Sequence, residues 1–352
     1  MKNKMRKNVG VLALLFGAIM TTTQTLAAEF SALNAQAATG PATTELSGPT
    51  MASGNEQSNL KQEPAVISMS SAKAMILAVT HAGNRIVAVG DRGIIRISDD
   101  GVVFRQAKSV PSQATLTSVS FVNDKEGWVA GHWGVVLHTV DGGETWALQH
   151  ENVKEDLPYF SIMFLNKEHG FVVGLWSTML ETHDGGVTWE SIKIPPPKGS
   201  TKADRNLLCL FASPKGALLI AAEGGIVYRS TDNGESWIPV ETGNRGSFWT
   251  GAALTNGDLL VAGLAGNMFR SKDDGKTWQR VETGVRSSIT EIVSFPDGKV
   301  EAVGLDGLTL TSNDSGLTFT AFQREDRLDI TAATINQKSQ LILFSREGVA
   351  SK

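Results

Sequence analysis

One short motif, returning about every 41 residues, constrains this chain more than any other feature. It comprises Thr139, Asp141, Gly143, Thr145 and Trp146, then Thr182, Asp184, Gly186, Thr188 and Trp189, and then Ser230, Asp232, Gly234, Ser236 and Trp237. Two further copies carry Ser271, Asp273, Gly275, Thr277 and Trp278, and Ser312, Asp314, Gly316, Thr318 and Phe319. A degenerate copy keeps Asp99, Gly101 and Phe104, and the aspartates are then spaced 42, 43, 48, 41 and 41 residues apart. A short aspartate accepts hydrogen bonds from N–H groups in its own turn, and glycine allows the positive φ of a tight hairpin. The aromatic ring then opens the next strand and pins the hairpin against the sheet. The aspartates are therefore structural: Asp99, Asp141, Asp184, Asp232, Asp273 and Asp314 shape turns, with Trp146, Trp189, Trp237, Trp278 and Phe319 as their anchors.

Around each copy the same order of runs recurs. In the second, residues 116–122 alternate as a strand, 128–131 form a short second one, 135–139 a third and 146–149 a fourth. Four short strands per period, rich in Val, Ile and Gly, describe a propeller blade, and the runs are too short for helices. First strands fall at 74–80, 116–122, 159–165, 207–212, 248–254, 289–295 and 330–335, which predicts an all-β, seven-bladed β-propeller with four-stranded blades. The last repeat ends soon after its third strand begins, and residues 65–70 form a spare strand. That N-terminal strand is expected to close the ring by completing the seventh blade.

The segments before the propeller read differently. Lys2, Lys4, Arg6 and Lys7 precede an apolar run from Val9 to Met20 and then small residues around Ala27 and Ala28. This predicts a signal peptide over 1–28 and export to a periplasmic, lumenal or secreted location. Residues 29–64, rich in Ala, Ser, Thr, Gly and Gln, bury too little to order themselves and read as a flexible linker. The propeller then spans 65–352. Without the first seven residues the chain has 28 basic and 36 acidic residues, a net charge of −8, which argues against a nucleic-acid partner. Cys209, the only cysteine, excludes an intramolecular disulfide.

The repeat resembles the Asp-box or BNR repeat of sialidases, xyloglucanases and sortilin-type receptors. More narrowly, it is similar to the photosystem II assembly and stability factor family. The residues that carry this likeness are Gly127, Trp128 and Gly131, then Gly134, Leu137 and Thr139, then the Asp-box from Asp141 to Trp146. The resemblance covers roughly 65–352. It implies an exported, non-catalytic propeller that binds a protein client and helps assemble a membrane protein complex, in photosynthesis for the family's namesakes.

Blade topology puts the Asp-boxes on one face. The other face carries the second-to-third-strand turns and the inter-blade loops. There Arg205, Arg245, Arg286 and Arg327 recur 40, 41 and 41 residues apart, each just before an innermost strand. Guanidinium groups favour carboxylates, so an acidic segment of a membrane-complex subunit is the expected partner, unless each arginine pairs with an acid such as Asp204, Asp326 or Asp329. Arg92, Trp133 and Trp176 occupy turns on the same face; the tryptophans anchor a partner if exposed and plug a seam if buried. Loops 151–158 and 191–205 are longer than their counterparts. The histidines, His81, His132, His138, His150, His169 and His183, fall on different strands without clustered acids, so no metal or cofactor is expected. The alternative is a sialidase-like glycosidase in which Tyr159, near Glu155 and Asp156, would be the nucleophile. The chain is expected to act as a monomer without a transmembrane segment in its mature form.

Overall fold

The computed structural model describes residues 63–152 and 154–350, so the signal peptide and nearly all of the linker expected from the sequence lie outside the described residues. Seven antiparallel sheets form the blades of the predicted propeller. Their inner strands are Ile76–Ala82, Leu116–Phe121, Tyr159–Phe164, Leu207–Ala212, Phe248–Ala253, Ile289–Ser294 and Ile330–Ile335. Each second strand is covered on both sides by neighbouring blades. In Gly127–Gly131, Gly170–Gly174 and Leu259–Gly263 every residue is buried, which explains their unbroken apolar composition. The outer strands face solvent; Thr320–Gln323 is exposed throughout. Among the described residues, no helix is long and apolar enough to cross a membrane.

Six sheets have four strands and the seventh has three. The expected closing strand does not join it. Ser68 Oγ accepts from the Ser70 N–H at 3.2 Å, and Met69–Lys73 winds into a 3-10 turn. Serines that satisfy the backbone locally compete with a strand ladder. The residues just before them lie along blade 1 instead, where the Ala65 N–H donates to the Val110 carbonyl at 2.9 Å and Gln106 Nε2 donates to the Val66 carbonyl at 2.9 Å. Closure uses the bond that joins other blades. Thr117 Oγ1 donates to the Tyr159 carbonyl (2.6 Å), Thr290 Oγ1 to the Ile330 carbonyl (2.8 Å) and Thr331 Oγ1 to the Ile76 carbonyl (2.5 Å). At this last seam Phe104 also meets Phe344 edge-on, with ring centroids 5.5 Å apart.

The Asp-boxes repeat one hydrogen-bond pattern. Asp184 accepts from Thr182 Oγ1 at 2.8 Å, from the Thr188 N–H at 2.9 Å and from Thr188 Oγ1 at 2.6 Å, while Trp189 Nε1 donates to the Gly186 carbonyl at 3.0 Å. Asp141, Asp232, Asp273 and Asp314 accept the same three bonds in their turns, and Trp146 Nε1 likewise donates to the Gly143 carbonyl at 3.0 Å. In the first copy the carboxylate is Asp100 rather than Asp99. Asp100 accepts from the Val102 and Val103 N–H groups, whereas Asp99 pairs with Arg85 at 2.6 Å. This turn is one residue shorter, which displaces the motif by one position and restores a step of 41 to Asp141.

The donors hold the box carboxyls well below their usual range. Hydrogen bonds from Thr188 bring Asp184 to about 2, and those from Ser236 and Ser230 bring Asp232 to about 2. A carboxyl with a depressed folded pKa stabilises the fold above its unfolded value of about 3.9, and that contribution disappears as pH falls towards 2. The urea midpoint, followed by tryptophan fluorescence, is expected to drop steadily between about pH 4 and 2 as the box carboxylates protonate. A midpoint unchanged down to pH 2 would contradict this account.

Candidate protein-binding face

Opposite the Asp-boxes, each turn between second and third strands leans on the loop leading to the next blade. The Ser177 N–H donates to the Arg205 carbonyl at 2.7 Å, the Thr242 N–H to the Gly225 carbonyl at 3.2 Å and the Arg324 N–H to the Gly307 carbonyl at 2.9 Å. These contacts place the arginine-bearing loops and the turns on one face. The turns are left-handed at their centres: Arg92, Trp133, Trp176, Ala265 and Asp306 all have φ between 51° and 61°. Such backbone costs a non-glycine residue about 1 kcal/mol or more, so the turn architecture dictates where these side chains emerge.

The four periodic arginines differ in their surroundings. Arg205 is partly buried, its guanidinium lying over Gly224, and its Nε has no hydrogen-bond partner. Arg245 and Arg286 are exposed, and among the described residues neither has a carboxylate within ion-pair distance. Arg327 is also exposed but pairs with Asp306 at 2.9 Å. Of the acids that sequence reasoning offered as partners, Asp326 pairs with Arg324 and Asp329 with Arg346 at 3.8 Å. Arg92, 81% exposed in its side chain, pairs with Asp91 at 3.3 Å on the far side of the ring.

The two tryptophans of equivalent turns also diverge. Trp133 packs against the buried cluster between blades 1 and 2. Trp176 is 59% exposed, and its N–H is held by Asn206 Oδ1 at 3.1 Å, one residue beyond Arg205. An arc therefore runs from Trp176 through Arg205 and Arg245 to Arg286, with the half-exposed Leu264 in the turn of the blade that Arg245 leads into and Arg286 leads out of. An aromatic anchor beside guanidinium groups without carboxylate partners suits a peptide that carries acids and one apolar side chain. The longer loop 191–205 is held against the body as well as at Arg205, because Ile194 is buried between blades 3 and 4.

Tyr159 is 2% exposed, its hydroxyl lies 3.2 Å from His150 Nε2, and burial pushes its pKa up. A glycosidase nucleophile requires the opposite environment. The histidines do not all lack clustered acids, as the sequence suggested. His169, Glu181 and His183 converge on blade 3, because Gly170 pairs with Thr182 and Phe171 with Glu181 across the hairpin. Sequence spacing carried the signal only in the pair Glu181 and His183, two residues apart at the end of a strand and the start of its turn.

The sequence matches the family described as "Photosynthesis system II assembly factor YCF48" over residues 67–160 and 148–303. No curated protein matches the chain. Among solved structures, "YCF48 bound to D1 peptide" is similar at a TM-score of 0.63 and 20% identity, covering 82% of this chain and 94% of that one. YCF48 from Cyanidioschyzon merolae is similar at a TM-score of 0.62 and 15% identity, covering 82% of this chain and 97% of that one. A GH74 enzyme from Niastella koreensis shares the fold at a TM-score of 0.63 and 12% identity, covering 82% of this chain and 53% of that one.

Proposed function

We propose, because the chain belongs to the photosynthesis system II assembly factor YCF48 family, that it is an exported, monomeric, non-catalytic scaffold. Its arginine-bearing face holds an acidic segment of a membrane-complex subunit during assembly. The observation that carries this reading is the pair Arg245 and Arg286, two exposed guanidinium groups without carboxylate partners among the described residues of an acidic chain. A similar solved propeller is bound to a D1 peptide, which supports a peptide as the form in which the client is gripped. The basic, apolar and small-residue order of 1–28 supports export. The buried, hydrogen-bonded Tyr159 supports a role without catalysis.

The test uses a fluorescent peptide rich in Asp and Glu and a control carrying Asn and Gln in their place. Each charge-assisted hydrogen bond contributes about 1.5–3 kcal/mol, so the double variant R245A/R286A is expected to bind the acidic peptide at least tenfold more weakly. Added salt is expected to weaken the wild-type interaction. Equal affinity for the two peptides, or no loss in the folded variant, would overturn the assignment.

A further inference from the structure

The His169, Glu181 and His183 cluster lies on the Asp-box side of blade 3, away from the arginine arc. His169 Nε2 is 2.7 Å and His183 Nε2 3.4 Å from Glu181 Oε1. The two imidazoles stack with centroids 4.6 Å apart, and one ligand atom from each of the three residues lies within 4.8 Å of the others. His169 and Glu181 are largely buried, and His183 is 67% exposed. Asn166 Oδ1 accepts from the His169 N–H at 2.9 Å, which fixes the turn that presents this ligand.

Equivalent positions in other blades show what is special here. Where strands two and three meet, blade 1 pairs Arg85 with Asp99, blade 2 brings Glu126 near His138, and blade 5 pairs Arg270 with Asp258. The two arginine contacts are ion pairs that tie a hairpin together, and blade 2 brings a single imidazole to within 3.5 Å of its carboxylate. Guanidinium has no lone pair to give a metal, and blade 2 has Val140 where blade 3 has His183. Blade 3 alone among these replaces the cation with two imidazoles, each of which has a ring nitrogen able to coordinate a metal. A hairpin that needed only an ion pair would not require the third, exposed group.

We infer that His169, Glu181 and His183 form a binding site for a divalent transition metal of the zinc class. Imidazole nitrogen and carboxylate oxygen suit zinc, at about 2.0–2.2 Å from the ion. Small side-chain rotations would bring the three atoms onto one centre, with water completing the shell. The site bridges the second and third strands of blade 3, so occupancy ties the two strands together.

The experiment uses the untagged full chain, freed of metal by chelation and titrated with Zn²⁺ against a chromophoric chelator at pH 7.5. One equivalent is expected to bind and to raise the melting temperature. His183→Ala, at an exposed position, is expected to weaken binding at least tenfold while the metal-free variant stays folded, and Val140→Ala in blade 2 is expected to leave zinc affinity unchanged. Co²⁺ is expected to give the visible absorption of a cobalt ion held by imidazole. No zinc binding at micromolar concentration, or the same affinity in His183→Ala and His169→Gln as in the wild type, would overturn the site.

Discussion

Trp128→Ala is expected to lower the stability of the propeller by about 3–5 kcal/mol, the cost of emptying a large aromatic site in a packed core. Trp128 is fully buried in the second strand of blade 2. Its ring lies parallel to Phe164 with centroids 3.6 Å apart, and His138 stacks at 4.8 Å. Its Nε1 also donates to the Gly185 carbonyl at 2.9 Å, inside the Asp-box turn of blade 3. The substitution therefore removes packing and leaves a carbonyl unsatisfied at the seam between two blades. Trp128→Phe keeps part of the ring and loses the hydrogen bond, so about 1–3 kcal/mol is expected. Urea unfolding followed by circular dichroism measures both. A loss below 1 kcal/mol for the alanine variant would show that the seam collapses around the gap, contrary to this account.

Trp128 also shows why the fold was readable from sequence. The residue belongs to a period, and a period of about 41 with four short apolar runs leaves little but a propeller. All seven inner strands begin within two residues of their expected positions. The closing strand failed because an apolar run says what must be buried without saying against which edge, while Ser68 and Ser70 satisfied their own backbone. The Asp99 assignment failed because a motif aligned on its glycine hides a one-residue deletion, and hydrogen bonds identify the true carboxylate.

The binding face was legible in part. Periodicity placed Arg205, Arg245, Arg286 and Arg327 at equivalent loops, but it could not tell their partners apart. Asp306, in a turn, pairs with Arg327, and no pattern of spacing announces a contact 21 residues away. The tryptophans separate for the same reason: whether a ring covers a seam or faces water depends on neighbouring loops. The histidine cluster escaped because its third ligand comes from across a hairpin, where register rather than sequence distance brings groups together.

What fixes the arginine loops is a set of glycines whose role appears only in three dimensions, and this leads to the second large effect. Gly225 has φ of +74°, and a Cβ there would lie 2.3 Å from the carbonyl oxygen of Asn244, the residue before Arg245. Gly266 repeats the arrangement at 2.5 Å from the Val285 carbonyl, just before Arg286, and a Cβ on Gly307 would lie 3.2 Å from the Arg327 Cα. Each turn thus presses backbone to backbone on the loop that carries an arginine. Gly225→Ala is expected to cost about 2–4 kcal/mol, combining left-handed backbone strain with forced displacement of the loop. Gly243→Ala is the control, since that glycine has φ of +82° in the same loop with nothing within 4 Å of its added Cβ, so about 1 kcal/mol is expected. Under conditions where both variants are folded, Gly225→Ala is also expected to weaken acidic-peptide binding several-fold, although it removes no charge, because Arg245 moves with its loop. Equal stability and equal peptide affinity in the two variants would show that the loop yields freely, and that the turns do not position the arginines.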